Sequence, residues 1–295
     1  MEQKTLLDKS YLAHIAFEKQ DRDDNHLPSE FINPGCVDAW RHERMKQPLD
    51  PLLTTHPGAS WLTIGDGHFG SDAYYLQQRG ANVTASSISD ETLAISHKQG
   101  YIKKYKCINA EQIAEADGAY DYVLCKEAFH HFPRPFVGFY EMLRVAAKAL
   151  VFIEPQERRH GLLDYLKRFI KLNIRKDQSV NFEPSGNFIY RLNVREMHKA
   201  MAALNYRTIA YYRFNDLFIP SAAGYPRNGF NKGILLTKLG IAFQNLLCRL
   251  GLMDWGLAVV ILFKSEPDAA LLQRLRSFGY TIENLPVNPF HNAGV

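Results

Sequence analysis

A doubly wound α/β fold, with a mostly parallel sheet covered by helices on both faces, is the class this sequence predicts. Three observations predict it. Short apolar runs alternate with longer helical segments from Trp61 onward; a glycine-rich turn joins the first such run to the first such helix; and composition is that of an ordinary globular chain. The 295 residues are 46% hydrophobic and 22% charged, with 35 Lys+Arg against 31 Asp+Glu, a net charge of +4. These values exclude a disordered chain, a collagen-like repeat and a disulfide scaffold.

Taken in order, residues 1–56 read as a helical N-terminal lead-in, closed by Pro57-Gly58. The strand-like runs are Trp61–Ile64, Asn82–Ser86, Tyr105–Ile108, Asp121–Cys125 and Ala149–Ile153. Helical segments fall between them at Ser71–Arg79, Asp90–Gln99, Glu111–Ala116 and Pro135–Val145. Right-handed crossovers then make a Rossmann-like sheet the economical arrangement. After Pro155 the regularity breaks into C-terminal additions. Arg158–Lys176 reads as a basic helix, Ser179–Asn187 as a loop, and Asn193–Leu204 as a helix with Asn193 as its cap and Glu196 completing a loose capping box. A strand over Arg207–Phe214, a loop over Pro220–Gly233, an apolar helix over Ile234–Leu250 and a strand over Leu257–Lys264 follow. Pro267–Phe278 closes the chain as a helix, with Tyr280–Leu285 as a last strand or extended tail. The expected division is a lead-in over 1–56, a core domain over 57–265 with insertions at 156–192 and 217–255, and a C-terminal helix and tail over 266–295.

The amino terminus lacks an apolar stretch followed by a cleavage site, so no secretory signal is expected. The longest apolar run, Leu257–Phe263, is too short to span a bilayer. Cys36, Cys107, Cys125 and Cys248 are scattered without zinc-ligand spacing, which fits reduced thiols in a cytoplasmic protein and no metal site.

The most informative stretch is Gly65-Asp66-Gly67-His68-Phe69-Gly70, set between a strand and a helix. Gly65 and Gly67 allow a sharp turn and close approach to a ligand, and Gly70 allows the helix to pack on the strand. A nucleotide-like ligand is expected there. A dinucleotide site has an acidic residue at the end of its second strand; here that place holds Ser86-Ser87-Ile88. A serine pair also suits a phosphorylated ribose, so an NADP-dependent oxidoreductase is one alternative.

The sequence here resembles the class I S-adenosylmethionine-dependent methyltransferases, over roughly residues 55–155. The blocks that carry the resemblance are Leu62–Gly70, Asn82–Ser89, Asn109-Ala110-Glu111, Asp121–Phe132 and the run from Phe139 to Pro155. A bacterial subgroup associated with sugar and surface-polysaccharide biosynthesis is the nearest in pattern. The resemblance implies S-adenosylmethionine held by Gly65, Asp66, Gly67, Gly70, Ser86, Ser87 and Ile88, with Asn109, Ala110 and Glu111 near the adenine and the backbone of Cys125 and Lys126 near the methionine part. Two positions depart from the family. Phe69 stands where a third closely spaced glycine is usual, and Ser87 replaces the ribose-binding acid. The second departure keeps open a non-catalytic cofactor-binding or scaffold protein.

Methyl transfer to a sugar or small-molecule hydroxyl requires a base, and histidine titrates in the right range. His130-His131 follow the fourth strand, where open sheets bind ligands. By resemblance His130 faces the transfer centre and His131 bonds backbone beneath it, with Glu127 and Glu154 as fallback bases or orienters. Trp40-Arg41-His42 are candidates to cover the cofactor, and Tyr190 and Arg191 to hold an acidic or phosphorylated substrate.

Residues 156–176 hold seven basic residues against two acidic ones, a net +5, so the rest of the chain is near neutral. With Leu162, Leu163, Leu166, Phe169, Ile170 and Ile174 at helical spacing, the segment reads either as a solvated helix on the core or as a peripheral membrane contact over 158–176. A lipid-linked or phosphorylated glycan substrate would suit the second. Nucleic acid is disfavoured: the fourth-strand block lacks an Asn-Pro-Pro-Tyr type motif, and no aromatic and basic residues interleave. Oligomeric state is not legible.

Overall fold

A computed structural model describes residues 6–23, 32, 35–158, 161–171, 181–183, 187–229, 231–286 and 288–290. Helices α1 (Leu6–Asp23), α2 (Val37–Lys46) and α3 (Asp50–Thr55) lead into the sheet. Then come β1 (Ser60–Ile64), α4 (Ser71–Gln78), β2 (Asn82–Ser87), α5 (Glu91–Lys98), β3 (Tyr105–Cys107), β4 (Tyr120–Lys126), α6 (Pro135–Val145) and β5 (Ala146–Pro155). The rest is α7 (Leu162–Phe169), α8 (Val194–Ala203), β6 (Thr208–Phe214), α9 (Pro220–Ala223), α10 (Lys232–Arg249), β7 (Leu257–Phe263), α11 (Ala269–Phe278) and β8 (Thr281–Asn284).

The eight strands form one sheet in the order β3-β2-β1-β4-β5-β7-β6-β8, a Rossmann-like α/β fold as the sequence predicts. β1 to β5 pair in parallel; β7 is antiparallel to both β5 and β6, and β8 joins β6 antiparallel as the outer edge. The central runs are apolar at consecutive positions because both sheet faces are covered. Ala149, Val151 and Ile153 of β5 pack with Trp61 and Leu76 on one face, while Leu150 and Phe152 pack with Phe139 and Met142 of α6 on the other.

Three expected elements are corrected. Glu111–Ala116 is turns and bridges rather than helix. Side chains of α6 take the backbone groups a helix would use: Glu141 accepts from Ile113 N, and Arg144 donates to the carbonyls of Ile113 and Glu115. The loop over Pro220–Gly233 contains α9, begun by Pro220 at a position where a missing N–H costs nothing. The basic helix is α7 alone within the described residues, and Arg159, Ile174, Arg175 and Lys176 lie outside them, as do Pro184 and Gly186 of the next loop. Asn193 does cap α8, accepting from Arg195 N, but Glu196 accepts from the Tyr190 hydroxyl instead of closing a capping box.

Candidate active site

At the carboxyl edge of β1, β2 and β4 lies a cleft of about 1180 Å³. Its lining includes Gly65, Asp66 and Gly67 of the glycine loop, Ser87 and Ile88 after β2, Asn109, Ala110 and Glu111 after β3, and Lys126, Glu127 and His130 after β4. Tyr11 and His14 of α1, His42 of α2, and Phe218 close it from the other side.

The glycine loop is built around two constraints. Gly65 has φ +74, and a Cβ there would stand 2.4 Å from the Ala128 Cβ, so this loop and the turn carrying His130 touch through a missing side chain. Gly70 has φ +72 and faces Ile102 and Leu93; it lies outside the cleft lining, its role being the packing of α4. Phe69 also adopts the left-handed region, at φ 55, with its ring fully buried. The family's glycine position is thus retained in backbone but filled by an aromatic ring, whose burial offsets a strain of roughly 1–2 kcal/mol.

Asp66 faces inward. Its carboxylate accepts from Thr63 Oγ1 and from the backbone N–H groups of Asp72 and Ala73 at the start of α4. Burial, then the nearby Asp72 charge, raises its pKa to about 6. The residue therefore anchors the loop to the helix. Ser86, expected to meet the ligand, donates instead to the Thr63 carbonyl at 2.6 Å and lies outside the lining. Ser87 lies in it. Cys125 is fully buried with its thiol pKa pushed up by burial and by Glu154; it lies behind the wall. Glu111 spends its carboxylate on Arg134 N, Arg134 Nε and the Tyr11 hydroxyl, tying α1 across the cleft.

His130 sits in a one-turn 3₁₀ segment, Phe129–His131, directly after β4. Beneath it is Glu154, at the end of β5 and without solvent exposure. One carboxylate oxygen accepts from Ala128 N and Phe129 N at 2.8 Å each, and the other lies 2.7 Å from His130 Nδ1. Burial works against the imidazolium, but Glu154 outweighs it and holds the His130 pKa above its ordinary value. With Nδ1 engaged by the carboxylate, Nε2 is the nitrogen left to act as proton acceptor. Glu154 holds the His130 ring from beneath and is absent from the cleft lining.

Glu127, the other fallback base, adopts φ 48 and lies 2.8 Å from Lys126 Nζ. Burial pushes its pKa up, yet Lys126 and His42 bring it down to about 2, so it holds charge and is too weak a base to take a hydroxyl proton. Lys126 and Lys46 converge on buried Asp72 at 3.8 and 3.3 Å, and keep that carboxyl below its ordinary range despite burial. His42, 3.4 Å from Lys126, is pushed to about 3 by burial and the lysine charge, and is neutral. This Lys46–Asp72–Lys126–Glu127 network was not expected from sequence. Its signal was charged residues on the inward faces of α2 and α4, which reads as a network once 46, 72 and 126 are known to be neighbours.

His131 does not bond backbone through its ring: Nδ1 lies 2.5 Å from a Glu183 oxygen. His130, His131 and Glu183 bring ligand-type atoms within 4.8 Å of one another, where no metal site was expected; the ion pair is the interaction present. Tyr190 and Arg191, the expected substrate contacts, are outside the cleft lining. The Tyr190 ring packs edge-on to Phe129 and Phe136, and the hydroxyl serves Glu196. Arg191 is half-buried, its pKa lowered by burial despite Glu157. Of Trp40-Arg41-His42, Arg41 and His42 line the cleft, and Arg41 is paired through two nitrogens with Asp216.

Residues 62–152 match the family model described as a methyltransferase domain. No curated protein matches the chain. Among solved structures, magnesium protoporphyrin IX methyltransferase from Synechocystis PCC 6803 with bound S-adenosylhomocysteine (SAH) is 16% identical, covering 88% of this chain and 100% of that one, with a TM-score of 0.53. The same enzyme with bound S-adenosylmethionine (SAM) gives 14%, 89%, 100% and 0.50. A SAM-dependent methyltransferase from Archaeoglobus fulgidus is 14% identical over 76% of this chain and 94% of its own, with a TM-score of 0.49. The first two likenesses show the fold alone. Residues 62–152 thus match a methyltransferase domain, set within a Rossmann-like α/β fold.

Proposed function

We propose that the protein methylates a hydroxyl of a sugar or other small molecule, with His130 as the base. The observation that carries this reading is the Glu154–His130 pair at 2.7 Å on the wall of the cleft that the glycine loop also lines. The donor set fits the cofactor. Gly65, Gly67, Ser87, Asn109 and Ala110 all line the cleft, and on this reading the glycine backbone meets the methionine part, Ser87 the ribose, and Asn109 and Ala110 the adenine. When bound, S-adenosylmethionine supplies an electrophilic methyl group.

The chain's own part is to orient and deprotonate. Glu154 fixes the His130 ring through Nδ1 and also fixes the backbone of the turn, so Nε2 is presented to the cleft as a neutral acceptor. An acceptor hydroxyl placed against Nε2 loses its proton there as its oxygen becomes nucleophilic. The imidazolium that forms is stabilised by Glu154, much as a buried carboxylate serves the histidine of a hydrolytic triad. His14, His131 and Glu183 beside it are polar groups suited to further hydroxyls of a polyhydroxylated acceptor.

Calorimetric titration with SAH and with NADPH tests the cofactor half. Binding of SAH without NADPH is expected, and NADPH alone would overturn the reading. For the base, His130→Ala should leave SAH affinity nearly unchanged while abolishing transfer of labelled methyl from SAM to a panel of sugar and small-molecule hydroxyls. Undiminished transfer by that variant would remove His130 from the chemistry.

A further inference from the structure

We propose that α10 and α7 together form a docking surface for an anionic lipid bilayer. α10 carries two apolar faces. Gly233, Ile234, Thr237, Ile241 and Cys248 are buried against the protein. Leu235, Leu236, Leu239, Phe243, Leu246 and Leu250 are 38–62% exposed. At 100° per residue those six side chains fall within an arc of about 100°, roughly opposite the buried face. They form a continuous, largely solvent-facing stripe along the helix.

α7 is inside out. Four of its five apolar residues, Leu162, Tyr165, Leu166 and Phe169, stand exposed and the fifth, Leu163, is half-buried, while its one acid, Asp164, is buried and accepts from Asp254 N at 2.7 Å. A second bond ties α7 to the segment just past the end of α10: Leu163 N donates to the Leu252 carbonyl. A helix that buries its acid while most of its apolar side chains face out beside exposed cations is matched to an apolar phase with an anionic boundary.

Charge selects the occupant. α10 contains Lys232, Lys238 and Arg249 and no acidic residue; α7 adds Lys167 and Arg168, with Lys171 following, all exposed. Aromatic or leucine side chains flanked by lysine and arginine suit an interface where apolar groups insert and cations meet phosphate headgroups. Among the described residues no helix is long and apolar enough to cross a membrane, so the contact is one of surface insertion.

Position ties the surface to the cleft. Phe214 at the end of β6 pairs with Leu257 at the start of β7, which pairs with Pro155 at the end of β5, so both helices leave the carboxyl edge that holds the cleft. At Gly240 of α10 a Cβ would lie 2.3 Å from Leu217, the neighbour of cleft-lining Phe218. A hydroxyl acceptor anchored in a membrane would reach the cleft from this side, a corollary that rests on the proposed methyl transfer.

The test is co-sedimentation of the full chain with phosphatidylcholine vesicles, with and without phosphatidylglycerol, at low and high salt. Binding that needs phosphatidylglycerol and weakens with salt is expected. The variant Leu236→Glu/Leu239→Glu/Phe243→Glu should lose at least about tenfold in vesicle affinity, with thermal stability and SAH affinity little changed because these side chains are more than half exposed and lie outside the cleft lining. Lys167→Gln/Arg168→Gln/Lys171→Gln should reduce binding and its salt dependence. No binding at low salt, or full binding by the glutamate variant, overturns the proposal. So does a concentration-dependent dimer that the glutamate variant dissolves and vesicles leave intact, which would assign the face to a second copy. Each result is independent of SAH binding, so failure here leaves the methyltransferase reading standing.

Discussion

Two stretches of one sheet edge are built in opposite ways. Around β1, β4 and β5, ionisable groups are sunk into the protein and matched: Glu154 with His130, and Asp72 between Lys46 and Lys126. Around β6 and β7, large apolar side chains of α7 and α10 stand in solvent while polar groups such as Asp164 face in. The first arrangement costs desolvation and is sustained by paired charge, as befits groups held ready for chemistry. The second leaves apolar area exposed, the kind of surface that marks an interaction site. Hydrophobic periodicity identifies a helix in both places. It does not tell which side of the helix is partnered.

The pairing of His130 with Glu154 gives the largest effect by which to break this contrast. His130→Ala should cost about 10²–10⁴ in methyl transfer to a responsive acceptor. Glu154→Gln should cost about 10²-fold or more, since the carboxylate sets both tautomer and orientation. It should also shift the pH profile in a definite direction. His130 acts when neutral, and its pKa is held above the ordinary 6.5. Activity should rise with pH through that elevated value, and loss of the Glu154 charge should move the rising limb to lower pH. A merely structural Glu154 would lower activity without moving the limb.

Next in size is the contact between loop and turn. Gly65→Ala combines φ +74 with a Cβ 2.4 Å from Ala128, and should destabilise the fold by about 1–3 kcal/mol, read as a lower melting temperature, with weakened SAH binding. By contrast, alanine at Leu239 of α10 should change stability by less than about 0.5 kcal/mol, because that side chain is largely exposed. A large loss at Leu239 would mean the stripe has a partner within the chain.

The smallest effect concerns the ribose. Ser87→Asp places a charged acceptor where the chain has a hydroxyl, and should tighten SAH binding roughly fivefold by calorimetry, the worth of about 1 kcal/mol. Unchanged affinity would show that Ser87 does not face the ribose.

Strand positions were legible because strands covered on both faces are unbroken apolar runs, as Leu257–Phe263 shows even though it pairs antiparallel. Gly65 and His130 were legible from strand–turn placement. What escaped the sequence depended on tertiary neighbours. Glu111–Ala116 has helical composition, yet Glu141 and Arg144 from α6 claim its backbone. Ser86 and Ser87 look equivalent in the chain, but strand alternation sends one to the Thr63 carbonyl and the other to the cleft. Tyr190 and Arg191 follow a loop near the site, and packing of the Tyr190 ring against Phe129 turns it to the core. Phe69 reads as a break in the glycine pattern, whereas its left-handed φ preserves that pattern in the backbone.

The ionisation of His130 itself, followed by NMR of the imidazole in the SAH-bound protein, bears most directly on the site. A pKa above 6.5 that falls on Glu154→Gln is expected, with the protonated form lost as pH rises through the elevated value. A pKa at or below 6.5 in the unaltered protein, indifferent to Glu154→Gln, would contradict the pairing on which the proposed chemistry stands.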